Sequence, residues 1–139
     1  MFEELKFLAE QKKLKFELEC AEKEIKVKAD EQRMRQVIQN IIENSIKYTE
    51  KGFVSAKLMT DDQRQSVLFS VSDSGIGIKK EVIPELFDQF KRAKEAKLIQ
   101  GTGLGLYIAR EIVKAHNGEI WAESEGEGKG SRFLVRMRK

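Results

Sequence analysis

Two asparagines and a lysine are spaced so that they share one side of a helix. Asn40, Asn44 and Lys47 are separated by four and three residues, which places them within roughly 40° of one another on an α-helix. Amide oxygens can ligate a hard cation, and an ammonium group can contact a phosphate. Asparagine is a mediocre helix former, because its amide competes for nearby backbone groups. The stripe therefore indicates either a cation and phosphate site or an ordinary solvated helix face.

An aspartate ends a predicted strand and is followed by two glycines. Asp73 precedes Gly75 and Gly77. A carboxylate at a strand end can accept a hydrogen bond from an exocyclic amine such as that of adenine, and glycines let a flat ring approach the backbone. An aspartate followed by glycine is also common turn chemistry. The segment alone indicates either an adenine contact or a plain turn.

A third segment places alternating glycines at the start of a predicted helix. Its residues are Gly101, Thr102, Gly103, Leu104, Gly105 and Leu106. The N–H groups at a helix N-terminus bind anions, and glycines let the anion come close. The spacing is not that of the dinucleotide-binding fingerprint, and the chain contains no P-loop. The segment Gly128-Lys129-Gly130-Ser131 approaches the P-loop pattern, but it lies in a predicted hairpin and indicates only a turn.

Hydrophobic periodicity predicts the elements that must position these residues. It predicts one helix over residues 2–12, a second that is capped by Asp30 and ends before Gly52, and a third from Leu104 to Ala115. Alternating apolar residues predict strands over residues 14–18, 25–29, 53–60, 65–72, 120–123 and 133–137. Elements in this order favour an α+β layer, with one sheet and helices on one of its faces.

The composition bounds the class of protein. The chain has 139 residues, of which 40% are hydrophobic, and this suits one domain with its own core. The net charge is +3 with both signs mixed, which is typical of a solvated surface and not of a nucleic-acid-binding stripe. Cys20 is the only cysteine, so an internal disulfide and a cysteine-based zinc site are excluded and a reducing compartment is expected. We find neither a membrane-spanning apolar run nor a secretory signal.

One segment departs from the mixed charge pattern. It carries the four cations Lys91, Arg92, Lys94 and Lys97 against the single acidic residue Glu95. This pattern indicates either a soluble loop or a mobile arm that contacts a polyanion.

Taken together, in this order and separation, these segments resemble the ATP-binding catalytic domain of two-component sensor histidine kinases. That domain is a branch of the superfamily that includes type II topoisomerases, heat-shock chaperones and mismatch-repair ATPases. Residues 40–48 resemble the N box, 73–77 the G1 box, 86–92 the F box and 101–106 the G2 box. The match spans essentially the whole chain, so we expect one domain over residues 1–139.

The resemblance implies a fold and a set of site residues. The fold is a two-layer α/β sandwich, in which a mixed five-stranded sheet is covered on one face by about three helices, with a flexible ATP lid at residues 79–100. Asp73 would bond the adenine amine, Asn44 would be the protein ligand of Mg²⁺, and Asn44, Lys47 and Arg92 would form the catalytic set. The implied nucleotide-binding residues are Asn40, Asn44, Lys47, Tyr48, Asp73, Gly75, Gly77, Ile78, Gly101, Thr102, Gly103, Leu104, Gly105 and Leu106.

The resemblance also implies an activity. The chain would bind Mg-ATP and donate the γ-phosphoryl group to a histidine on a separate dimerisation domain, with a response regulator as the downstream partner. The isolated domain is expected to be a cytoplasmic monomer that binds no nucleic acid, within a parent that can be membrane-anchored. No segment of the chain resembles the phosphoacceptor domain, so we expect no autophosphorylation by this chain alone.

Two residues separate the branches of the superfamily. The hydrolytic ATPases and the serine kinases that regulate sigma factors place a glutamate four residues before the magnesium asparagine, where it is a general base. This chain has Asn40 there, and an amide cannot accept a proton at neutral pH. The only histidine, His116, precedes Asn-Gly at a predicted helix end, as a capping residue would. We therefore favour the histidine-kinase branch over a hydrolytic or serine-kinase member and over a non-catalytic interaction module.

Overall fold

The structure is a computed structural model that describes residues 2–20, 25–88 and 104–139. These residues contain helices α1 (Phe2–Gln11), α2 (Glu31–Lys47) and α3 (Gly105–Ala115), strands β1 (Lys15–Cys20), β2 (Phe53–Asp61), β3 (Ser66–Asp73), β4 (Glu119–Glu123) and β5 (Ser131–Arg138), and a 3₁₀ turn at Ile83–Glu85. None of the helices in these ranges is long and apolar enough to cross a membrane.

The five strands form one mixed sheet in the order β1-β2-β3-β5-β4. Strand β1 pairs parallel with β2, whereas the other neighbouring strands pair antiparallel. The predicted hairpin is confirmed, because β2 pairs with β3 from Val54 opposite Asp73 to Asp61 opposite Ser66. The register of β3 and β5 places Asp73 opposite Ser131, which brings the end of one strand to the start of the other.

The helices pack on one face of this sheet, as predicted. Helix α2 contributes Val37, Ile41 and Ile42, which have no exposed surface. Their spacing of four and one residues sets an apolar stripe along one side of the helix, and this stripe joins a single core with the inward side chains of the sheet. On the other face of the sheet the Arg136 guanidinium lies 5.3 Å from the centroid of the Trp121 ring.

The ends of α2 are fixed by capping. Asp30 is the N-cap, and its Oδ1 accepts a hydrogen bond of 3.1 Å from the backbone N–H of Arg33, which confirms the predicted cap. The helix ends at Lys47, where Tyr48 is the C-cap residue. Gly52 follows with φ at +107°, a conformation in which glycine avoids the strain that other residues would incur.

The prediction of a strand over residues 25–29 is wrong. Residues 25–28 are irregular, and Ile25 and Val27 line an apolar cavity of about 140 Å³ with side chains of α2 and the sheet, such as Val37 and Phe69. The alternation of apolar residues therefore reflects the covering of the core between α2 and the sheet, and not pairing in a ladder. Residues 21–24, which lie between the first two predicted strands, are outside the described residues.

Candidate functional site

Helix α2 touches the start of α3 through one of its asparagines. The side-chain Nδ2 of Asn40 donates a 3.1 Å hydrogen bond to the carbonyl oxygen of Gly105, the first residue of α3. A methyl group added at Gly105 would lie 3.7 Å from Cβ and Cγ of Asn40, which is van der Waals contact. The structure therefore brings the N-box helix and the last residues of the G2 box together.

The loop after β3 rests on the other end of the same helix. The backbone N–H of Ile76 donates a 3.1 Å hydrogen bond to the carbonyl oxygen of Tyr48. A Cβ atom at Gly75 would lie 2.7 Å from Oγ1 of Thr49 and 2.9 Å from Oδ1 of Asp73, closer than real side chains come. The close approach of these protein atoms is enough to require glycine at position 75, independently of any contact with an adenine ring.

The Asp73 carboxylate is buried and held by three donors. The residue is 7% exposed. Its Oδ1 accepts from the backbone N–H groups of Gly75 at 2.9 Å and Ser131 at 3.2 Å, and its Oδ2 accepts from the Ser131 hydroxyl at 2.8 Å. These bonds fix the carboxylate at the end of β3, where the sequence placed it. A carboxylate has about four acceptor sites, so Asp73 retains acceptor capacity for a further donor.

A single serine ties this loop to the hairpin between β4 and β5. The Ser124 hydroxyl oxygen accepts from the backbone N–H groups of Ile78 at 3.0 Å and Gly126 at 3.2 Å, and it donates to the carbonyl of Gly130 at 2.7 Å. Ile78 itself is buried in the core, with 8% exposure. The Ser124 hydroxyl therefore sets the distance between the G1 loop and the hairpin.

Gly77 lies where this hairpin crosses the loop. Its φ is +74°, and an added Cβ would collide with the carbonyl oxygen of Gly126. The carbonyl of Ile76 accepts a 2.7 Å hydrogen bond from the backbone N–H of Gly128. The turn predicted at this segment is confirmed, since residues 124–130 connect β4 to β5, and this connection also supports the loop after β3.

Asn44, Lys47 and Tyr48 are half-buried at the C-terminal end of α2. The Lys47 Nζ lies 5.8 Å from the centroid of the Tyr48 ring. The Asn44 amide supplies the kind of oxygen that a hard cation accepts. Within residues 2–20, 25–88 and 104–139, no three His, Cys, Asp or Glu side chains come together as a metal site.

The start of α3 is only partly described. Leu104 is the N-cap residue of this helix, and its apolar side chain gives no cap hydrogen bond. Leu106 is buried with 2% exposure and anchors the first turn in the core. Of the residues predicted for the site, Arg92, Gly101, Thr102 and Gly103 lie outside the described residues, as do residues 89–100 of the predicted lid.

The F box is described only for its first three residues, 86–88. Phe87 is 8% exposed, and its ring meets that of Phe133 edge to face with centroids 6.4 Å apart. This contact accounts for Phe87 by core packing. Phe90, the second phenylalanine of the F box, lies outside the described residues.

The only histidine has both ring nitrogens engaged. His116 is the C-cap residue of α3, as predicted. Its Nε2 accepts a 3.1 Å hydrogen bond from the backbone N–H of Asp30, and its Nδ1, which therefore carries the proton, donates to the carbonyl of Ile112 at 2.8 Å. The imidazole joins the end of α3 to the start of α2 and has a structural place in the fold.

Two serines of the site were not predicted from the sequence. Ser131 meets Asp73 across the β3–β5 register, and Ser124 meets Ile78 across the hairpin, at sequence separations of 58 and 46 residues. The only local signal was the position of Ser131 directly after Gly-Lys-Gly. That signal indicates a turn but does not say which residue the serine will contact.

Comparisons with known proteins identify the family of the chain. Residues 29–139 match the family model described as Histidine kinase-, DNA gyrase B-, and HSP90-like ATPase. The sensor histidine kinase WalK of Bacillus subtilis is 40% identical over 119 residues, which are 84% of this chain and 19% of WalK. The chain thus spans about a fifth of the length of this curated relative.

Solved structures show the same fold. A nucleotide-free catalytic domain of the histidine kinase ThkA superposes with a TM-score of 0.75 and 30% identity, over 99% of this chain and 84% of that one. Full-length ShkA in complex with AMPPNP gives a TM-score of 0.80 and 28% identity, over 96% of this chain and 28% of that one. The chain belongs to the family of histidine kinase-, DNA gyrase B- and HSP90-like ATPases. Within that family it is similar to the catalytic domains of sensor histidine kinases.

The Ser124→Ala variant tests the tie between loop and hairpin. Its three backbone partners would lose their shared hydroxyl, so the free energy of unfolding is expected to fall by about 1–3 kcal/mol. The amide of Ile78 is expected to exchange faster with solvent. Urea denaturation and hydrogen exchange measure the two effects.

Ser72→Ala is the control, because Ser72 makes no side-chain hydrogen bond to a described residue, and it should change stability by less than about 0.5 kcal/mol. Equal losses in both variants would contradict the assigned role.

Proposed function

We propose that this chain binds Mg-ATP and donates the γ-phosphoryl group to a histidine on the dimerisation domain of the same kinase. It would be the catalytic domain of a sensor histidine kinase, in the cytoplasm, and its acceptor domain would pass the phosphoryl group to a response regulator. Membership of the family supports nucleotide binding in general. The specific substrate and transfer are our inference.

The observation that carries the proposal is that the start of α3 and the loop after β3 both contact α2 or its C-cap residue. Asn40 contacts Gly105 at the start of α3, and Tyr48 contacts Ile76 in the loop after β3. The residues of the first pair are 65 positions apart along the chain, and those of the second pair are 28 positions apart. Each of them alone had an ordinary structural interpretation. Their meeting along one helix brings together the parts that a nucleotide site needs: an acceptor for the base, an amide for a cation and a helix N-terminus for phosphates.

At one end of the site, Asp73 would receive the adenine amine. The residues present fit this role, since the carboxylate is fixed by Gly75 and Ser131 and keeps acceptor sites that these donors do not fill. Gly75, Gly77 and Ile78 would form the adjacent wall, with Tyr48 near the nucleotide.

At the other end of the site, α3 would present its N-terminal N–H groups to the phosphates. Leu104, Gly105 and Leu106 lie at the start of this helix, and Gly101, Thr102 and Gly103 precede it in the sequence. Asn40 and Lys47 would lie against the phosphate chain, and Arg92 would approach the γ-phosphate. Asn44 would hold magnesium through its amide oxygen, and bound magnesium supplies neutralisation of phosphate charge. The work of these side chains is positioning and charge compensation.

The hydrolytic alternative would need a general base four residues before Asn44, and the residue at that position is Asn40. Asn40 donates to the Gly105 carbonyl, and its amide cannot take a proton from water. Glu43 accepts a 2.9 Å hydrogen bond from Gln39 and lines the surface groove between α1 and α2 together with Phe7. It therefore belongs to a different side of α2 from Asn40. A histidine acceptor needs no such base, because imidazole is nucleophilic near neutral pH.

The Asp73→Asn variant tests the adenine assignment. An asparagine keeps an oxygen for the N–H groups of Gly75 and Ser131, and its amide can donate to the Ser131 hydroxyl, so the fold should persist. The charged acceptor for the adenine amine would be lost. We expect binding of ATP and ADP to weaken by about 1–3 kcal/mol, roughly 5- to 150-fold in Kd.

Isothermal titration calorimetry measures this change for both nucleotides. Asp62→Asn is the matched control, because it removes the same charge from an exposed turn where Asp62 meets only Lys139 among its described side-chain partners. Its Kd should equal that of the wild type. Unchanged affinity in Asp73→Asn would remove Asp73 from the adenine site.

The Asn44→Ala variant tests the magnesium assignment. Loss of the only proposed protein ligand should weaken binding of ATP in the presence of Mg²⁺ and leave binding in EDTA nearly unchanged, because the ion bridges the side chain and the phosphates. Calorimetric titrations under the two conditions give the comparison. Gln36→Ala, on the same helix, should show no such dependence on the metal. A parallel loss with and without Mg²⁺ would assign Asn44 to the nucleotide itself.

A further inference from the structure

The last turn of α2 has a complete set of hydrogen-bond donors for its carbonyl groups. Helix C-termini leave carbonyls without intrahelical partners, and these must be satisfied in another way. Here the carbonyl of Asn44 accepts from the Tyr48 N–H and that of Ser45 from the Thr49 hydroxyl. The carbonyl of Tyr48 accepts from Ile76. Two of these donors, Tyr48 and Ile76, lie in the site segments themselves.

The carbonyls of Ile46 and Lys47 share a lysine that lies far away in the sequence, and the Ile46 carbonyl also accepts a 3.3 Å hydrogen bond from the backbone N–H of Thr49. The Nζ of Lys12, in the turn between α1 and β1, lies 2.7 Å from the carbonyl oxygen of Ile46 and 3.1 Å from that of Lys47. Lys12 is half-buried. Its ammonium therefore donates to two consecutive carbonyls at the negative end of the helix dipole. Lys12 lies outside the match to the family model, which begins at residue 29.

We propose that Lys12 is a positioning residue of the nucleotide site. By holding the carbonyls of Ile46 and Lys47, it fixes the turn from which the Lys47 side chain projects and on which the Tyr48 carbonyl anchors the loop at Ile76. This inference rests on the proposed function, because it assigns Lys12 to the same site. It also assigns the turn after α1 a role in positioning that site.

Two physical effects connect Lys12 to nucleotide affinity. Removal of the ammonium takes one hydrogen bond from the carbonyl of Lys47, so the backbone from which the Lys47 side chain projects is held less firmly. The carbonyl end of a helix also carries partial negative charge, which opposes binding of a polyanion beside it. The ammonium of Lys12 offsets that charge, so both effects predict weaker binding when it is removed.

The test compares Lys12→Met with Lys13→Met. Both changes remove one positive charge from the same turn, but Lys13 is exposed and Lys12 is the residue that reaches α2. We expect Lys12→Met to raise the Kd for Mg-ATP by about five- to tenfold and Lys13→Met to leave it unchanged. Lys12→Arg should recover most of the affinity, since guanidinium keeps the charge and several donors. Calorimetry is done well below the unfolding temperature of each variant, which thermal unfolding measures separately.

Each outcome decides the inference. A raised Kd in Lys12→Met with recovery in Lys12→Arg supports it, whereas a lower unfolding temperature with an unchanged Kd overturns it and leaves Lys12 a residue of stability alone. An equal rise of Kd in Lys13→Met also overturns it, because the effect would then be general charge. If Lys12→Met does not fold, Lys12→Gln takes its place, and an unchanged Kd there counts against the proposal. Failure of the wild-type chain to bind Mg-ATP overturns the proposed function, and with it this inference.

Discussion

A buried carboxylate holds the sheet and the loop after β3 in one arrangement. Burial of a charged group is costly unless hydrogen bonds replace its water. Asp73 is 7% exposed, and its partners are the N–H of Gly75 and both the N–H and hydroxyl of Ser131. These bonds exist only if β3 and β5 pair in the observed register and the loop turns back at Gly75. The electrostatic requirement of one side chain thus restricts three parts of the backbone.

At the C-terminal end of α2, the same hydrogen bonds stabilise the fold and position the candidate site. The carbonyls at the end of this helix need donors in any fold, and their donors come from Ile76 in the loop, Thr49 in the following turn and Lys12 in the first turn of the chain. The hydrogen bonds to these carbonyls therefore also hold the loop after Asp73 in place. A substitution in this network is expected to change stability and affinity together, and only measurements of both separate the two roles.

The sequence predicted the parts of the fold that depend on local pattern. The apolar stripe and the N-cap of α2, the β2–β3 hairpin and the helix end at His116 follow from residues near one another in the chain. The strand predicted at residues 25–29 is wrong, because apolar alternation does not distinguish pairing in a sheet from covering of a core. Within the described part of the chain, the resemblance indicated which segments would meet.

Contacts between distant residues were beyond prediction from one sequence. The link between Asp73 and Ser131 follows from strand register, which no local pattern determines, and the reach of Lys12 to Ile46 depends on how α1 packs beside α2. Both serines of the site and the lysine looked like ordinary turn or surface residues. Their roles arise from unpaired backbone groups that only the folded chain presents to them.

Transfer of label from γ-labelled ATP to a separately purified dimerisation domain that bears the acceptor histidine distinguishes a histidine kinase from a hydrolytic ATPase. We expect no stable phosphate on this chain alone, slow hydrolysis at most, and acid-labile label on the acceptor domain when the two are mixed with Mg²⁺. A variant of the acceptor domain without that histidine should remain unlabelled. Rapid hydrolysis of ATP by this chain alone, at the rate of a dedicated ATPase and with no label on the acceptor, would contradict the assignment as a histidine kinase.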